Sequence, residues 1–429
     1  MKKILIVSLI ALFASQPVLA DGEKNISFIF DGAARIRYEF YNHSVFAGLA
    51  DDKQSYFRFK FSGGVLADFY DIFSIYGKLT NESRSYIYNA LGNAQYDIDE
   101  TVIDNLFFNI PKLFGAIDIK AGRMDLPLSE YGEGFLFADG TPLDGSRTFY
   151  FNAARIRYST PESSVELLGI YDPEYDELSV INDKDKKLND SLEKAFVIYG
   201  RSKINEKLYI EPYYMLKTEA KSNFGKDVSI NVFGSYVKYD MGKAAVRAQA
   251  AAQLGNYGDE AGRAFGGYAY LDIPVKNIVK PFSIGYVYLS GDDESTKTVE
   301  AWNPVFGRFP SLSEILHVLY LRESGLGYWT NLQLLKFETT FKPSEKMSVI
   351  ASYNFVYANE TVANPTDPNA LKIFGSGKHR GNLMRCRVGY NFSKNFSSYV
   401  LGEYFIPGDF YYKDAKDASF LRVEFMAKI

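Results

Sequence analysis

The sequence predicts an all-β fold, a transmembrane antiparallel β-barrel of about 18 strands with short periplasmic turns and long extracellular loops. Two observations support this fold class: apolar and polar residues alternate over many short segments, and tight connections alternate with long ones. In residues 34–40, for example, Arg35, Arg37 and Glu39 share one face of the predicted strand. Three apolar side chains share the other face. A chain of such segments is expected in a bacterial cell outer membrane.

The first 20 residues are expected to be a signal peptide. Two lysines precede an apolar core over residues 4–14, and residues 18–20 form a small-residue cleavage site. No later stretch supplies about 18 unbroken apolar residues, so no transmembrane helix is predicted. The remaining residues, 21–429, are predicted to form a single barrel domain.

The order of strands and loops is the main evidence for a barrel rather than a soluble sandwich. The predicted strands are 26–42, 54–67, 71–84, 101–111, 115–125, 147–159, 163–172, 191–202, 206–219, 228–240, 243–256, 263–275, 280–290, 328–342, 347–360, 379–393, 396–407 and 418–429. Every second connection is tight and rich in turn-forming residues, whereas the others include the long segments 126–146, 172–190, 291–327 and 361–378. A barrel of about 18 strands leaves an aqueous lumen, which makes transport the expected function.

Composition agrees with an exported barrel. Aromatic residues make up 16% of the chain, which suits the aromatic girdles of a membrane barrel. Cys386 is the single cysteine, so no intramolecular disulfide is possible, and its apolar-facing register predicts an inert thiol. The net charge of −4 gives no reason to expect nucleic acid. The predicted partners of such a barrel are outer-membrane lipid and lipopolysaccharide.

The strand register predicts a positively charged lumen wall. The predicted inward bases are Arg35, Arg37, Arg58, Lys60, Lys78, Lys120, Arg155, Arg157, Lys207, Lys217, Arg247, Lys336, Arg385, Arg387 and Arg422. The predicted inward acids are fewer: Glu39, Asp118, Glu166, Glu211, Glu219, Glu338, Glu403 and Glu424. Arginine stays charged and binds carboxylate or phosphate through two parallel hydrogen bonds, so this wall favours anions.

The predicted substrate path consists of Arg35, Arg37, Arg58, Lys60, Lys120, Arg155, Arg157, Arg247, Arg385, Arg387, Arg422, Glu39 and Glu211. The arginine pairs 35/37, 155/157 and 385/387 are the expected selectivity elements. The alternative for each pair is a basic ladder that only keeps the wall soluble. No catalytic residue, metal site or cofactor is predicted.

Several motifs occur in an order that resembles one barrel family. They are KAGR at 120–123, DGSR at 144–147, AARIRY at 153–158, SGDD at 290–293, WNPVFG at 302–307 and YFIPGDF at 404–410. Together they are similar to the alginate export family of outer-membrane barrels. The resemblance implies eighteen strands around a basic lumen that passes anionic uronate polymer, so the expected partners are an anionic saccharide or small anionic solute and periplasmic export partners. A porin for small anionic solutes, such as carboxylates or phosphate, is the alternative function.

One departure from that family concerns the plug of the pore. Alginate-exporting relatives carry a long periplasmic loop late in the chain, whereas here the last inner turn covers only residues 393–395. The barrel is therefore expected to stand open unless an outer loop folds inward. The loop 126–146, with Gly132, Gly134 and Gly140 for sharp bends, is the expected candidate. Its alternative is an ordinary surface loop.

The long segment 291–327 contains a predicted helix over residues 311–321. Leu312, Ile315, Leu316 and Leu319 share one side of it, and Ser311 or Ser313 is the expected cap. The segment is expected to be either a lid over the mouth or a packed outer loop that stabilises the rim.

Other candidate sites in the outer loops are weak. The acidic run 292–294 can bind a divalent ion, but such clusters without calcium-loop spacing are usually solvated. The histidines His43, His317 and His379 offer only a remote metal site. An outer-membrane hydrolase is a remote alternative, since the chain has no nucleophile elbow, zincin motif or P-loop. The chain is therefore predicted not to be an enzyme.

Overall fold

The structure is a computed structural model of the 429-residue chain. It describes residues 26–42, 53–89, 100–126, 128–129, 136–138, 145–148, 151–178, 188–189, 191–220, 225–275, 281–307, 310–324, 329–364, 366 and 373–429. The expected signal peptide, His43 and the three glycines of the loop 126–146 lie outside these ranges.

Eighteen strands form one antiparallel sheet, which confirms the predicted fold class. The strands are β1 (Ile26–Asn42), β2 (Gln54–Phe69), β3 (Phe73–Asn89), β4 (Thr101–Leu113), β5 (Ile117–Met124), β6 (Phe151–Ser159), β7 (Ser163–Asp172), β8 (Leu192–Lys203), β9 (Leu208–Ala220), β10 (Val228–Asp240), β11 (Ala245–Tyr257), β12 (Glu260–Ile273), β13 (Phe282–Leu289), β14 (Leu332–Ser344), β15 (Met347–Tyr357), β16 (His379–Asn391), β17 (Phe396–Pro407) and β18 (Ala418–Lys428). Each strand pairs with its neighbours in sequence.

The sheet closes because β1 pairs with both β2 and β18. Ile36 lies opposite Phe425 across the closing ladder. The last residue extends this ladder. The Ile429 amide donates to the Gly32 carbonyl at 3.0 Å, and the Ile429 carbonyl accepts the Gly32 amide at 3.4 Å. A closed ladder leaves no strand edge and satisfies the backbone groups that lipid cannot.

Burial alternates with a period of two along the strands. On β18, Leu421 and Phe425 are 38% and 42% exposed. Phe420 and Arg422, the residues before and after Leu421, are only 2% and 3% exposed. The predicted lipid-facing register of the last strand is therefore confirmed. Apolar side chains cover the outside, and the polar and charged ones project into the interior.

The connections are sorted by length as predicted, with one exception: β11 and β12 are joined by only residues 258–259 at the end that carries the long loops. At one end of the barrel the turns are short, including 70–72, 114–116, 160–162, 204–207, 241–244, 345–346 and 392–395. At the other end, β5 and β6 are joined by residues 125–150, and β13 and β14 by residues 290–331. These two long segments are called the first and second inward loops below, because residues 136–138 of the first and 302–306 of the second are buried inside the barrel.

The second inward loop contains helix α1 (Glu314–Ser324). Leu312, Ile315, Leu316 and Leu319 are all buried, which confirms the predicted apolar side. Ser313 is the N-cap, since its Oγ accepts the Leu316 amide at 3.1 Å. Among the described residues, no helix is both long and apolar enough to cross a bilayer.

A bulge between β3 and β4 changes the register of the inward face. Lys78 pairs with Asn105 but Leu79 pairs with Ile103, which leaves Asp104 as the extra residue. Asp104 and Asn105 are consequently both buried. On the next strand Gly122 has φ of +130°, and a Cβ there would lie 2.2 Å from the Leu106 carbonyl oxygen. Only glycine fits so close to the bulged strand.

We expect Gly122→Ala to destabilise the barrel by about 2 kcal/mol or more, since it adds both a backbone clash and an unfavourable φ. The measurement is the urea midpoint of the refolded protein, followed by its heat-modifiable migration in SDS gels. Gly169→Ala on β7 is the control, because nothing lies within 4 Å of a Cβ there. Equal midpoints for the two variants would contradict this account of Gly122.

Candidate functional site

The inward face of β1–β3 holds its cations around one carboxylate, Glu82. Arg35 and Arg58 each lie 2.6 Å from Glu82, and the Lys60 ammonium lies 3.9 Å away. Glu82 also accepts the Gly145 amide at 3.1 Å. One buried carboxylate therefore fixes three predicted path residues and touches the first inward loop.

A second buried carboxylate, Glu39, organises the neighbouring group where β1 meets β18. Arg422 lies 2.5 Å from it, and Arg37 and Arg58 lie 3.4 and 3.5 Å away. Arg37 also pairs with Glu424 at 2.6 Å. Because ionised groups are stable in a protein interior only when they are paired, these arginines are structural as well as inward-facing.

The wall formed by β6–β9 contains two further carboxylates. Glu166 binds Arg201 at 2.5 Å and lies 3.6 Å from Arg157. Glu211 accepts hydrogen bonds of 2.6 Å from both the Tyr199 hydroxyl and the Ser129 hydroxyl. Glu211, predicted to lie in the path, is therefore buried by wall and loop together.

The remaining wall repeats the same pattern of paired cations. Arg247 lies 2.5 Å from Asp272, and Arg385 lies 2.7 Å from Glu403. Lys336, which the sequence placed on the inward face but outside the predicted path, lies 2.8 Å from Glu338. Each pair joins residues that are close on the sheet.

Three inward cations differ from the others. In the described segments, Lys120, Arg155 and Arg387 form no ion pair with a carboxylate. The Lys120 ammonium lies over the Phe107 ring at 3.7 Å, and the Arg387 guanidinium lies over the Tyr399 ring at 4.2 Å. All thirteen predicted path residues thus lie on inward positions, but the structure separates them into a paired majority and an unpaired minority.

The excess of bases over acids on the inward face is smaller in the structure than the sequence predicted. Lys207 lies in a turn before β9 rather than on the inward face. The register adds three bases, Arg84, Arg201 and Lys238, but also six acids: Asp31, Glu82, Asp104, Asp172, Glu193 and Asp272. Most of these additional inward residues follow the two-residue period of their strands, so the sequence pattern contained the signal for them. Asp104 was not predictable in this way, because the bulge alters its register.

The first inward loop folds against the wall, as predicted for the segment 126–146. Phe137 packs edge-on against Tyr199 and Tyr213, with ring centroids 5.9 and 5.0 Å apart. The Leu128 carbonyl accepts a short hydrogen bond from Arg201. At its other end, Ser146 Oγ accepts the Glu82 amide at 2.7 Å. The described residues of this loop are therefore buried inside the barrel rather than exposed.

The GR and DGSR motifs meet at a single carboxylate. Arg123 and Arg147 lie 2.6 and 2.5 Å from Asp176, which follows β7. Burial alone would raise the pKa of Asp176, but the hydrogen bonds and charge of the two arginines hold it below its ordinary value. Arg147 was predicted to begin a strand at 147; β6 begins instead at Phe151, because residues 145–148 bind these partners.

The second inward loop crosses the interior. Gln253 and Asn303 exchange two hydrogen bonds of 2.6 and 2.9 Å, which fix the loop to β11. The Lys217 ammonium donates to the Val305 carbonyl at 2.5 Å, and Phe306 packs edge-on against Phe151 at 5.0 Å. The loop thus connects β11 to β9 and β6 across the inside of the barrel.

Helix α1 continues this loop to the far wall. The Glu403 carboxylate accepts the Ser313 hydroxyl at 2.6 Å and the Glu314 and Ile315 amides at 3.2 and 3.1 Å. A carboxylate at a helix N-terminus is favourable for both hydrogen bonding and the helix dipole. Arg422 pairs with Glu314 at 2.6 Å, which ties the helix to β18.

The two inward loops meet. The Phe306 amide donates to the Phe137 carbonyl at 2.9 Å, within a short parallel bridge between Ala138 and Phe306. Glu323 of helix α1 pairs with Arg380 at the outer end of β16, at 2.7 Å, so the described part of segment 291–327 packs against the wall near the outer end of the barrel, as the packed-loop alternative predicted. The contact between the two loops agrees with the expectation that an outer loop folds inward where no long periplasmic loop is present.

The acidic run 292–294, a weaker outer-loop candidate, forms contacts within its own loop; His43 lies outside the described residues. Asp292 and Asp293 are exposed, and each accepts a backbone amide of its own loop, from Glu300 and Ser295. The described residues contain no group of three or more His, Cys, Asp or Glu side chains arranged to hold a metal ion. Cys386 is exposed between the inward Arg385 and Arg387, which places it on the outer face.

Sequence comparison resolves the family once this architecture is known. A family model described as "Alginate export" matches residues 29–423, which covers nearly the whole barrel. The chain belongs to the alginate export family. Alginate export proteins are outer-membrane barrels, so this chain is an outer-membrane protein of a bacterium. A comparison with curated protein sequences finds no match.

Solved porin structures share the fold. OccK11 (OpdR) of Pseudomonas aeruginosa is 11% identical, with a TM-score of 0.55, and the alignment covers 95% of this chain and 98% of that one. OccAB4 of Acinetobacter baumannii is 11% identical, with a TM-score of 0.57 and coverage of 93% and 98%. At this identity the likeness establishes the fold alone.

We expect Glu403→Gln to loosen helix α1, since it removes the charge that accepts two amides, a hydroxyl and Arg385. Loss of such charge-assisted bonds weakens the anchor by about 1.5–3 kcal/mol. The result should be larger current fluctuations and a higher mean conductance in single-channel recordings. Glu338→Gln is the matched control, because its carboxylate pairs with Lys336 on the same strand. Equal fluctuations in both variants would show that Glu403 does not hold the helix.

Proposed function

We propose that this outer-membrane channel passes carboxylated saccharides of monomer to short oligomer length. The observation that supports it most directly is the grouping of cations in rows across the inward face. Arg37, Arg58 and Arg84 lie opposite one another on three successive strands, and Lys120 lies opposite Arg155. Like charges in directly opposed positions are unfavourable for folding. Buried carboxylates offset this cost for Arg37 and Arg58. Lys120 and Arg155 form no such ion pair among the described residues, and this opposed pair favours a role in binding anions.

The acids on the inward face also form a row, but this row binds a loop. Asp172, Glu193 and Glu219 form a row near the outer ends of β7–β9. Lys217 bridges two of them, at 2.9 Å from Glu193 and 2.7 Å from Glu219, and the same ammonium binds the second inward loop. This acidic row therefore helps to hold the loop. Lys120 and Arg155, rather than the buried Arg37 and Arg58, are the better candidates for contact with a passing anion.

The inward loops favour a short cargo over a long polymer. The bridge between Ala138 and Phe306 and the helix anchored at Glu403 place protein across the interior. A small carboxylated solute that is not a sugar is the second candidate, since it needs less space and the same charges attract it. The family and fold favour a channel rather than an enzyme, and the mechanism needs only electrostatic attraction and weak binding.

Single-channel recording in planar bilayers tests the proposal. Reversal potentials in a salt gradient measure ion preference, and a trimeric uronate, succinate and neutral maltotriose are then added in turn. We expect anion preference, with current block by the uronate trimer and not by maltotriose. Block by succinate alone would transfer the function to small carboxylates. Cation preference would contradict both candidates.

Acidification should increase anion preference. Asp125 follows β5, where burial chiefly raises the pKa of its carboxyl to about 6; Asp104 adds to this effect and Lys78 opposes it. Lowering the pH from 7 to 5 therefore protonates Asp125 and removes one negative charge from the interior. We expect the reversal potential to shift toward that of the anion over this interval. Asp125→Asn should show the shifted value already at pH 7, and an unchanged pH response in that variant would exclude Asp125 as the titrating group.

A further inference from the structure

One row of inward side chains on β4–β8 contains bases and no acid. In register order it consists of Asn109, Lys120, Arg155, Leu168 and Val197. Lys120 and Arg155 are direct cross-strand partners, so their Cβ atoms are about 4.5–5.5 Å apart. Two cations thus lie side by side with neutral neighbours at both ends of the row.

The adjacent row toward the short turns is balanced. There Asp118 lies opposite Arg157, and Arg157 lies opposite Glu166. Glu166 is bound to Arg201 at 2.5 Å, and Asp118 accepts the Lys112 amide at 3.2 Å. Asp125, which follows β5, lies 3.8 Å from Lys78. The acids nearest to Lys120 and Arg155 therefore have partners of their own, and none of them forms an ion pair with either cation.

The row on the other side is largely apolar. Phe107 lies opposite Gly122, and Ala153 lies opposite Ile170. Phe107 supports Lys120 through the ring contact at 3.7 Å, and Tyr76 packs against the same Phe107 ring at 5.2 Å. Arg155 Nε is buried without a hydrogen-bond partner in the described structure. The pair consequently keeps its donors for a ligand, in a setting where the weakly screened charge is effective.

We propose that Lys120 and Arg155 form a binding site for one carboxylate group of the passing solute. The proposal deepens the proposed function and rests on it. Arg155 supplies a planar guanidinium and Lys120 an ammonium, and a carboxylate between them removes the repulsion that the empty pair carries. Arg387, the third unpaired cation, lies opposite Leu401 and has no second cation beside it in the register. The other inward cations set the potential, whereas this pair sets the dwell time of the solute.

The test compares two identical substitutions. Lys120→Met and Lys336→Met each remove one inward ammonium that lies near an aromatic ring, but only Lys336 has a carboxylate partner. For Lys120→Met we expect the dissociation constant of uronate-trimer block to rise roughly tenfold, as for the loss of one charge-assisted hydrogen bond. For Lys336→Met we expect a change of less than about twofold, because only a screened long-range charge is lost.

Two further measurements keep the outcome decisive. Lys120→Arg retains the charge and should retain the block, and heat-modifiable migration shows whether each variant is folded. Equal weakening by Lys120→Met and Lys336→Met would overturn the proposal, because block would then depend on total charge alone. Failure of the proposed function gives a different result, since uronates would then not block the unmodified channel at all.

Succinate and inorganic phosphate, tested on the same variants, distinguish a carboxylate site from a general anion site. If block by phosphate depended more strongly on Lys120 than block by succinate does, the carboxylate assignment would be rejected.

Discussion

Closure of the strand ladder is the constraint on which the rest of the structure depends. A lipid environment offers no partner to an open strand edge, so β1 must complete its hydrogen bonds with β18. Closure then forces every second side chain of all strands into one shared interior. Residues far apart in the sequence become neighbours there, as Arg37 and Glu424 show at 2.6 Å. The charge rows of the interior are therefore products of barrel geometry and strand register, not of local sequence.

Charges gathered in this way must be neutralised, and the loops take part. The Glu39 carboxylate pairs with Arg37, Arg58 and Arg422. Arg422 also pairs with Glu314 of helix α1. Burial raises the pKa of Glu314, and Arg422 opposes that effect by favouring the ionised form. Removing the helix would leave a buried guanidinium with one partner fewer, which is costly. The second inward loop is thus part of the electrostatic balance of the wall, in addition to narrowing the interior.

The sequence predicted local features well and tertiary ones poorly, for a physical reason. The bounds of β1, β7, β10 and β17 agree with the predicted strands because alternation is readable within one segment. The Ser313 cap was readable from its neighbours in the same way. The bulge at Asp104 depends on how β3 and β4 are aligned, and the contact of Phe306 with Phe137 joins two distant loops. Likewise, the partners of Arg37 and Arg422 include Glu424 and Glu39, which lie at the opposite end of the chain from these arginines.

The family motifs gain a physical interpretation that differs from contact with cargo. Arg123 and Arg147 both bind Asp176, so the GR and DGSR motifs fix the two ends of the first inward loop to the wall. Gly122 allows the close approach to the bulged β4 that places Arg123 there. Lys120 lies two residues before Gly122 on the same short strand, β5, and faces the interior. Strand β5 therefore anchors the first inward loop at its outer end and also presents Lys120 to the interior. The distance between Lys120 and the point where the two loops meet is thus set by a rigid strand rather than by a flexible loop.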